Sequence, residues 1–253
     1  MIVWTIADGV AEVVLDAPHK RNAVDLGDIA ELDAAYLAAE RAGARALVLR
    51  GEGHAFCAGR DIADVDPATD DVHGYLAAVE RLMRRMSEFP VPTFAAVHGA
   101  CLGVGLGLAI AADVVYVADD AKVGSPFVNL GATLDSGGHA LFYERLGAHR
   151  ALDLIFTGDL LTGSEAVAAG LFSRAMPADE LVEFTRERAA RAASGPTLAF
   201  AASKRIIADL RGERLWRAVD AETAAQADLA ATADYRDGFA AFRAKRAPDF
   251  RGA

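Results

Sequence analysis

Cysteine is scarce in this 253-residue chain, and the two present, Cys57 and Cys101, form no CxxC pair. That excludes a disulfide scaffold and leaves both as small packing residues. No HExxH or EF-hand spacing appears, so no metal is expected, and the GxSxG elbow of serine hydrolases is absent. Cationic residues are the minority, with 26 Lys and Arg against 36 Asp and Glu and a formal charge of −10. Such a surface carries no footprint for nucleic acid or an anionic membrane, although a phosphate-bearing ligand needs only a local cationic cluster. The start, Ile2-Val3-Trp4-Thr5-Ile6, lacks the basic segment, apolar run and cleavage site of a secretory signal, so a cytoplasmic location is expected.

One long apolar run does occur. Phe94 to Ala112 contains no Asp, Glu, Lys or Arg and has the length of a membrane span. Gly99, Gly103, Gly105 and Gly107 interrupt it, Pro90 and Pro92 precede it, and the strand-like Val114–Val117 follows. It reads as a buried strand, a turn and a helix.

With 53% hydrophobic residues the chain can bury a sizeable core. Ile2–Ile6 and Val10–Leu15 flank Asp8-Gly9, which predicts a hairpin. Apolar spacing predicts helices over Leu26–Arg41 and near Val72–Phe89, alternating with strands at Ala46–Leu49, Thr93–Val97 and Val114–Val117. This α/β alternation points to stacked ββα crossovers. After Pro177 the pattern turns helical: Ala178–Ala193, Pro196–Leu210 and Glu213–Ala230, broken at Gly195 and Gly212. The division expected is a core over residues 1–195 and a helical extension over 196–253. The Asp61–Asp71 segment between strand and helix reads as a mobile surface loop.

The chemistry is concentrated in two short segments. Val97–Asp113 is a glycine-punctuated turn between an apolar strand and a helix, which brings bare backbone and N–H groups toward negative charge. Phe56-Cys57-Ala58-Gly59-Arg60-Asp61-Ile62, after an earlier strand, supplies a second exposed N–H. Two such donors on one oxygen make an oxyanion hole. Gly103-Val104-Gly105-Leu106-Gly107 misses the dinucleotide pattern GxGxxG by one position.

Together with Arg21-Asn22-Ala23-Val24 and the terminal Phe239–Phe250 stretch, these segments run in an order that resembles the crotonase (enoyl-CoA hydratase/isomerase) superfamily along almost the whole chain. The resemblance implies a spiral of ββα units with a C-terminal trimerisation region, and a homotrimer or dimer of trimers. It implies an acyl-CoA thioester as substrate, with CoA part of that substrate and no separate cofactor. The backbone N–H groups of Arg60 and Val104 take the oxyanion role in this pattern. Arg21, Ala23, Ala58, Arg60, Asp61, Ile62, Gly103, Val104, Phe127, Leu130 and Lys245 take the substrate-binding positions. The Arg60 guanidinium, Lys20 and Arg246 are further candidates for CoA phosphates, while Asp61 is expected to brace its loop.

Hydratases of this superfamily use two glutamates, and the matching positions here are Gly107 and Phe127, which cannot exchange protons. The remaining carboxylate is Asp135, in Gly131-Ala132-Thr133-Leu134-Asp135-Ser136-Gly137-Gly138 ahead of a helix. The residues alone allow it to be a helix N-cap. The resemblance makes it an acid/base group, as in dienoyl and ring enoyl-CoA isomerases, or a nucleophile, as in an aryl-CoA dehalogenase. Its apolar neighbours would raise its pKa toward neutrality. An enoyl-CoA double-bond isomerase is therefore expected. Hydratase-like or dehalogenase-like activity, or acyl-CoA binding without catalysis, are the alternatives. His54, His98, His139 and Glu144 are weaker titratable candidates, His139 the best of them.

Overall fold

The computed structural model describes residues 1–253. The chain opens with the expected hairpin, β1 (Ile2–Ala7) and β2 (Val10–Leu15), turned by Asp8 and Gly9 at φ of 50° and 78°. Positive φ at both central residues matches the twist of the flanking strands. Helix α1 (Leu26–Arg41) starts on a capping box in which Asp25 and Asp28 each accept the other's backbone N–H. After β3 (Ala46–Gly51), helix α2 (Val72–Ser87) is capped by the Asp71 carboxylate on Gly74 N–H. It stops two residues short of the expected Phe89, whose ring turns inward onto the edge of Tyr36.

The long apolar run resolves into β4 (Thr93–Val97), β5 (Ala100–Leu102) and α3 (Val104–Ile110), followed by β6 (Val114–Ala118) and β7 (Lys122–Gly124). Next come α4 (Gly138–Thr157), broken at Gly147, then β8 (Leu161–Thr162), α5 (Gly163–Ala168) and β9 (Arg174–Met176). Four helices close the chain: α6 (Ala178–Ala193), α7 (Thr197–Arg211), α8 (Glu213–Ala230) and α9 (Ala233–Ala244). No helix is long and apolar enough to cross a membrane.

A six-stranded sheet runs β1-β2-β3-β4-β6-β9 and is antiparallel only at its first pair. Its middle strands read as continuous apolar runs because both faces are covered. Leu47 and Leu49 of β3 enter the 50-residue main core, while Ala46 and Val48 meet Phe94 and α6 on the other face. A smaller sheet, β5-β7-β8, carries the glycine turn. Helix α8 packs on α2 and α4, and α9 on the 3₁₀ turn Phe127–Leu130, so the C-terminal helices border the same space as the glycine turn.

One buried side chain ties the early turns together. Asn22 accepts Ala17 N–H at 2.8 Å and donates to the carbonyls of Glu52 (2.9 Å) and Ala55 (2.7 Å), joining the end of β2 to the loop after β3. Asn22→Ala leaves all three backbone groups without that partner. It should lower unfolding free energy by on the order of 2–4 kcal/mol in denaturant titrations. A loss below about 0.5 kcal/mol, the size of an ordinary surface change, would contradict this role.

Candidate active site

The loop after β3 and the glycine turn lie side by side. Cys57 N–H donates to Ala100 O at 2.9 Å and Leu102 N–H to Cys57 O at 3.0 Å. A Cβ on Gly105 would sit 2.4 Å from Cys57 O, so only glycine permits this approach. On the other side of the loop, Val24 N–H donates to Gly59 O and Asp61 N–H to Val24 O, both at 2.9 Å. Backbone groups alternate direction along an extended segment, so Arg60 N–H faces away from Val24. Neither Arg60 N–H nor Val104 N–H has an acceptor in the protein, and both residues line one cavity of about 240 Å³.

The cavity gathers most of the residues expected from sequence. Arg21, Ala58, Arg60, Ile62, Gly103 and Val104 line it. Phe127, Leu130 and Asp135 complete that set. Ala23, Asp61 and Lys245 lie outside the lining. Asp61 braces its loop by accepting Ala63 N–H and pairs with Lys20 at 3.4 Å.

The Arg60 guanidinium corrects the expectation that it is free for phosphate. Its two terminal nitrogens donate to Asp70 at 2.8 and 2.6 Å, and its Cζ lies 4.0 Å above the Tyr75 ring. A largely desolvated cation needs such a partner, and Asp70 supplies it from the loop that composition marked as mobile. That loop is also held by Arg243, which donates to Val65 O. Lys20 and Arg246 are likewise engaged, by Asp28 and Asp237. Arg21 and Lys245 have no carboxylate partner.

Asp135 is 8% exposed and is the one carboxylate in the lining. Burial pushes its carboxyl up to about 7; the Ser136 hydroxyl, donating at 2.8 Å to Oδ1, opposes the rise, nearby Glu222 adds to it, and Arg60 opposes it. Oδ2 has no donor in the protein and keeps accessible surface.

Asp135 is not the side-chain cap of α4. That helix begins after Gly137, at φ 78°, and Glu222 of α8 caps it. The buried Glu222 carboxylate accepts Gly137 N–H at 2.7 Å, His139 N–H at 2.8 Å and His139 Nδ1 at 2.9 Å. Sequence reasoning missed this residue. The available signal was polar Glu222 and Gln226 continuing the inward stripe of Leu215 and Val219 on α8.

Gly107 and Phe127, where the resemblance would put the two hydratase glutamates, are occupied by packing. A Cβ on Gly107 would lie 2.6 Å from Ser136 Cβ, and the Phe127 ring closes on Gly103. His54 and His98 line a different cavity, near the end of β3. His139 and Glu144 border another, beside α7 and α8.

The chain is extensively similar to known proteins. Residues 5–253 match the family model described as enoyl-CoA hydratase/isomerase. The chain is 36% identical to a probable enoyl-CoA hydratase of Rhodobacter capsulatus, across 99% of this chain and 98% of that one. It is 33% identical to 1,2-epoxyphenylacetyl-CoA isomerase of Escherichia coli over the same shares. Among solved structures, an enoyl-CoA hydratase from Mycobacterium avium subsp. paratuberculosis superposes with a TM-score of 0.90 at 29% identity, covering 99% and 98% of the two chains.

The raised carboxyl pKa has a consequence for stability. A carboxyl that titrates near 7 in the fold and near 3.8 in the unfolded chain favours the folded state at low pH and loses that contribution as pH climbs through 7. Asp135→Asn, neutral throughout, should match the native protein near pH 4 and be more stable at pH 8. At about 1.4 kcal/mol per pK unit the gap is on the order of 4 kcal/mol. Equal denaturation midpoints at pH 8 would contradict a desolvated Asp135.

Proposed function

Because the chain belongs to the enoyl-CoA hydratase/isomerase family, we propose that it moves a C=C bond within an enoyl-CoA, with a dienoyl or ring-containing acyl group included, using Asp135 as the single proton carrier. The observation that carries this reading is one desolvated carboxyl with a pKa of about 7, lining the same cavity as two unpartnered backbone N–H groups. The thioester carbonyl sits between Arg60 N–H and Val104 N–H. Asp135 Oδ2 takes a proton from the γ carbon, the C–H electrons shift into the chain, and negative charge collects on the carbonyl oxygen. The two N–H donors stabilise that charge where it develops. Asp135 then returns the proton to the α carbon.

A pKa near the working pH lets one group serve as base and then acid. Direct two-carboxylate activation of water has no second carboxylate in this cavity. Arg21 and Lys245, free of carboxylate partners, are the cations proposed for the CoA phosphates. Ala23, Ala58, Asp61, Ile62, Gly103, Phe127 and Leu130 are proposed to line the path of the substrate.

The assembly proposed is a homotrimer or dimer of trimers. Helix α7 supports it: none of its residues is buried, and Leu198, Ile206, Ile207 and Leu210 are exposed. Light scattering at micromolar concentration should return a trimer mass or its double, and a monomer mass would contradict the assembly.

Asp135→Asn should lower turnover of an accepted enoyl-CoA by about 100-fold or more, the scale of general acid–base catalysis. In D2O the native enzyme should place deuterium at the α or γ carbon, and its kcat/KM should rise with pH through about 7 as the base form appears. Turnover retained by the variant would overturn the proton-carrier role. Loss of halide from an aryl-CoA with no shift of the double bond in any enoyl-CoA would favour Asp135 attack on carbon, and thioester binding without turnover on enoyl, dienoyl and aryl substrates would favour a binding protein.

A further inference from the structure

Three hydrogen-bond donors line the same cavity without acceptors. Gln226 is buried on α8, and its Oε1 accepts Thr133 N–H at 3.0 Å. A backbone N–H can be met only by the amide oxygen, so this bond fixes the orientation of the amide. The Nε2 group then has no acceptor in the protein and retains accessible surface. The Tyr75 hydroxyl is buried without a partner, and the Tyr235 hydroxyl, on a ring that is itself buried, has no partner in the protein and retains accessible surface. Asp135 takes none of these bonds; its donor is Ser136. Tyr36 has an unpartnered hydroxyl too, but it sits in the main core away from the cavity and offers nothing to a ligand.

We propose that the acyl end of the cavity selects substrates that carry an oxygen beyond the thioester, received by Gln226 Nε2 and the hydroxyls of Tyr75 and Tyr235. This deepens the acyl-CoA reading and rests on it. A plain hydrocarbon chain would remove residual water from these donors and return nothing, a cost that falls on any unmet buried polar group. A carbonyl or hydroxyl oxygen meets them. Arg60, the cation beside Tyr75, is already neutralised by Asp70, and Asp135 adds negative character nearby, so an uncharged oxygen fits better than a carboxylate.

The test is equilibrium binding of two matched pairs of thioesters: butyryl-CoA with acetoacetyl-CoA, and phenylacetyl-CoA with 4-hydroxyphenylacetyl-CoA. The native protein should bind the oxygen-bearing member of at least one pair about tenfold more tightly, the scale of one recovered hydrogen bond. That ratio should fall toward one in Gln226→Met, Tyr75→Phe or Tyr235→Phe. The tyrosine variants each remove a single oxygen, and Tyr75→Phe keeps the ring under Arg60, so a folded comparison survives if Gln226→Met is unstable. Thioesters that bind with ratios near one in both pairs would overturn the inference alone, as would a tenfold ratio that persists in all three variants. Failure of every thioester to bind would overturn the acyl-CoA reading beneath it and the inference with it.

Discussion

The contact between two lengths of bare backbone governs the site. Cys57 and Cys101 pair as a parallel bridge, and the carbonyl of Cys57 comes so close to α3 that Gly105 cannot carry a side chain. Gly59 makes a similar approach to Leu102 O, where an added Cβ would stand 3.0 Å away. Val24 takes up the carbonyl of Gly59 and the N–H of Asp61, which turns Arg60 N–H away from it, and Val104, the first residue of α3, has no intrahelical acceptor for its N–H. The arrangement costs unsatisfied donors in the free protein. It is the kind of cost a fold carries where a ligand oxygen belongs.

Asp135 is the second unsatisfied element, and its freedom depends on a distant residue. Had the Asp135 carboxylate capped α4, its proton affinity would have fallen, because hydrogen bonds from backbone N–H groups stabilise the ionised form. Glu222 takes those N–H groups instead and places a further negative charge near Asp135. In the proposed reading, capping and proton transfer are thus divided between two carboxylates, Glu222 on α8 and Asp135 ahead of α4. Ser136, which packs against Gly107, gives Asp135 its single donor.

Elements with a clear local signal were legible in the sequence. The Asp8-Gly9 turn, the apolar period of Leu26–Arg41 and the glycine boundaries of the last helices all lie where their chemistry placed them. Strands β5, β7 and β8, two or three residues each, are too short to show a period and form only through pairing. In the site, the glycine turn was readable from its own residues, whereas Asp135, which those residues alone allowed to be a helix N-cap, was singled out by the resemblance. The Asp70 clasp on Arg60 and the Glu222 cap on α4 were not, since each depends on where a charged side chain finds its counterpart after folding. The donors of Tyr75, Tyr235 and Gln226 were hidden for the same reason: inward-facing tyrosines have the pattern of ordinary core residues.

The central claim is that a single carboxyl, desolvated beside two open backbone donors, is poised to exchange protons near neutral pH. Direct titration of the Asp135 side-chain carboxyl by 13C NMR, assigned by its disappearance in Asp135→Asn, addresses that claim without a substrate. A midpoint near 7 is the expected result. A midpoint near the ordinary aspartate value of about 4 would contradict the account.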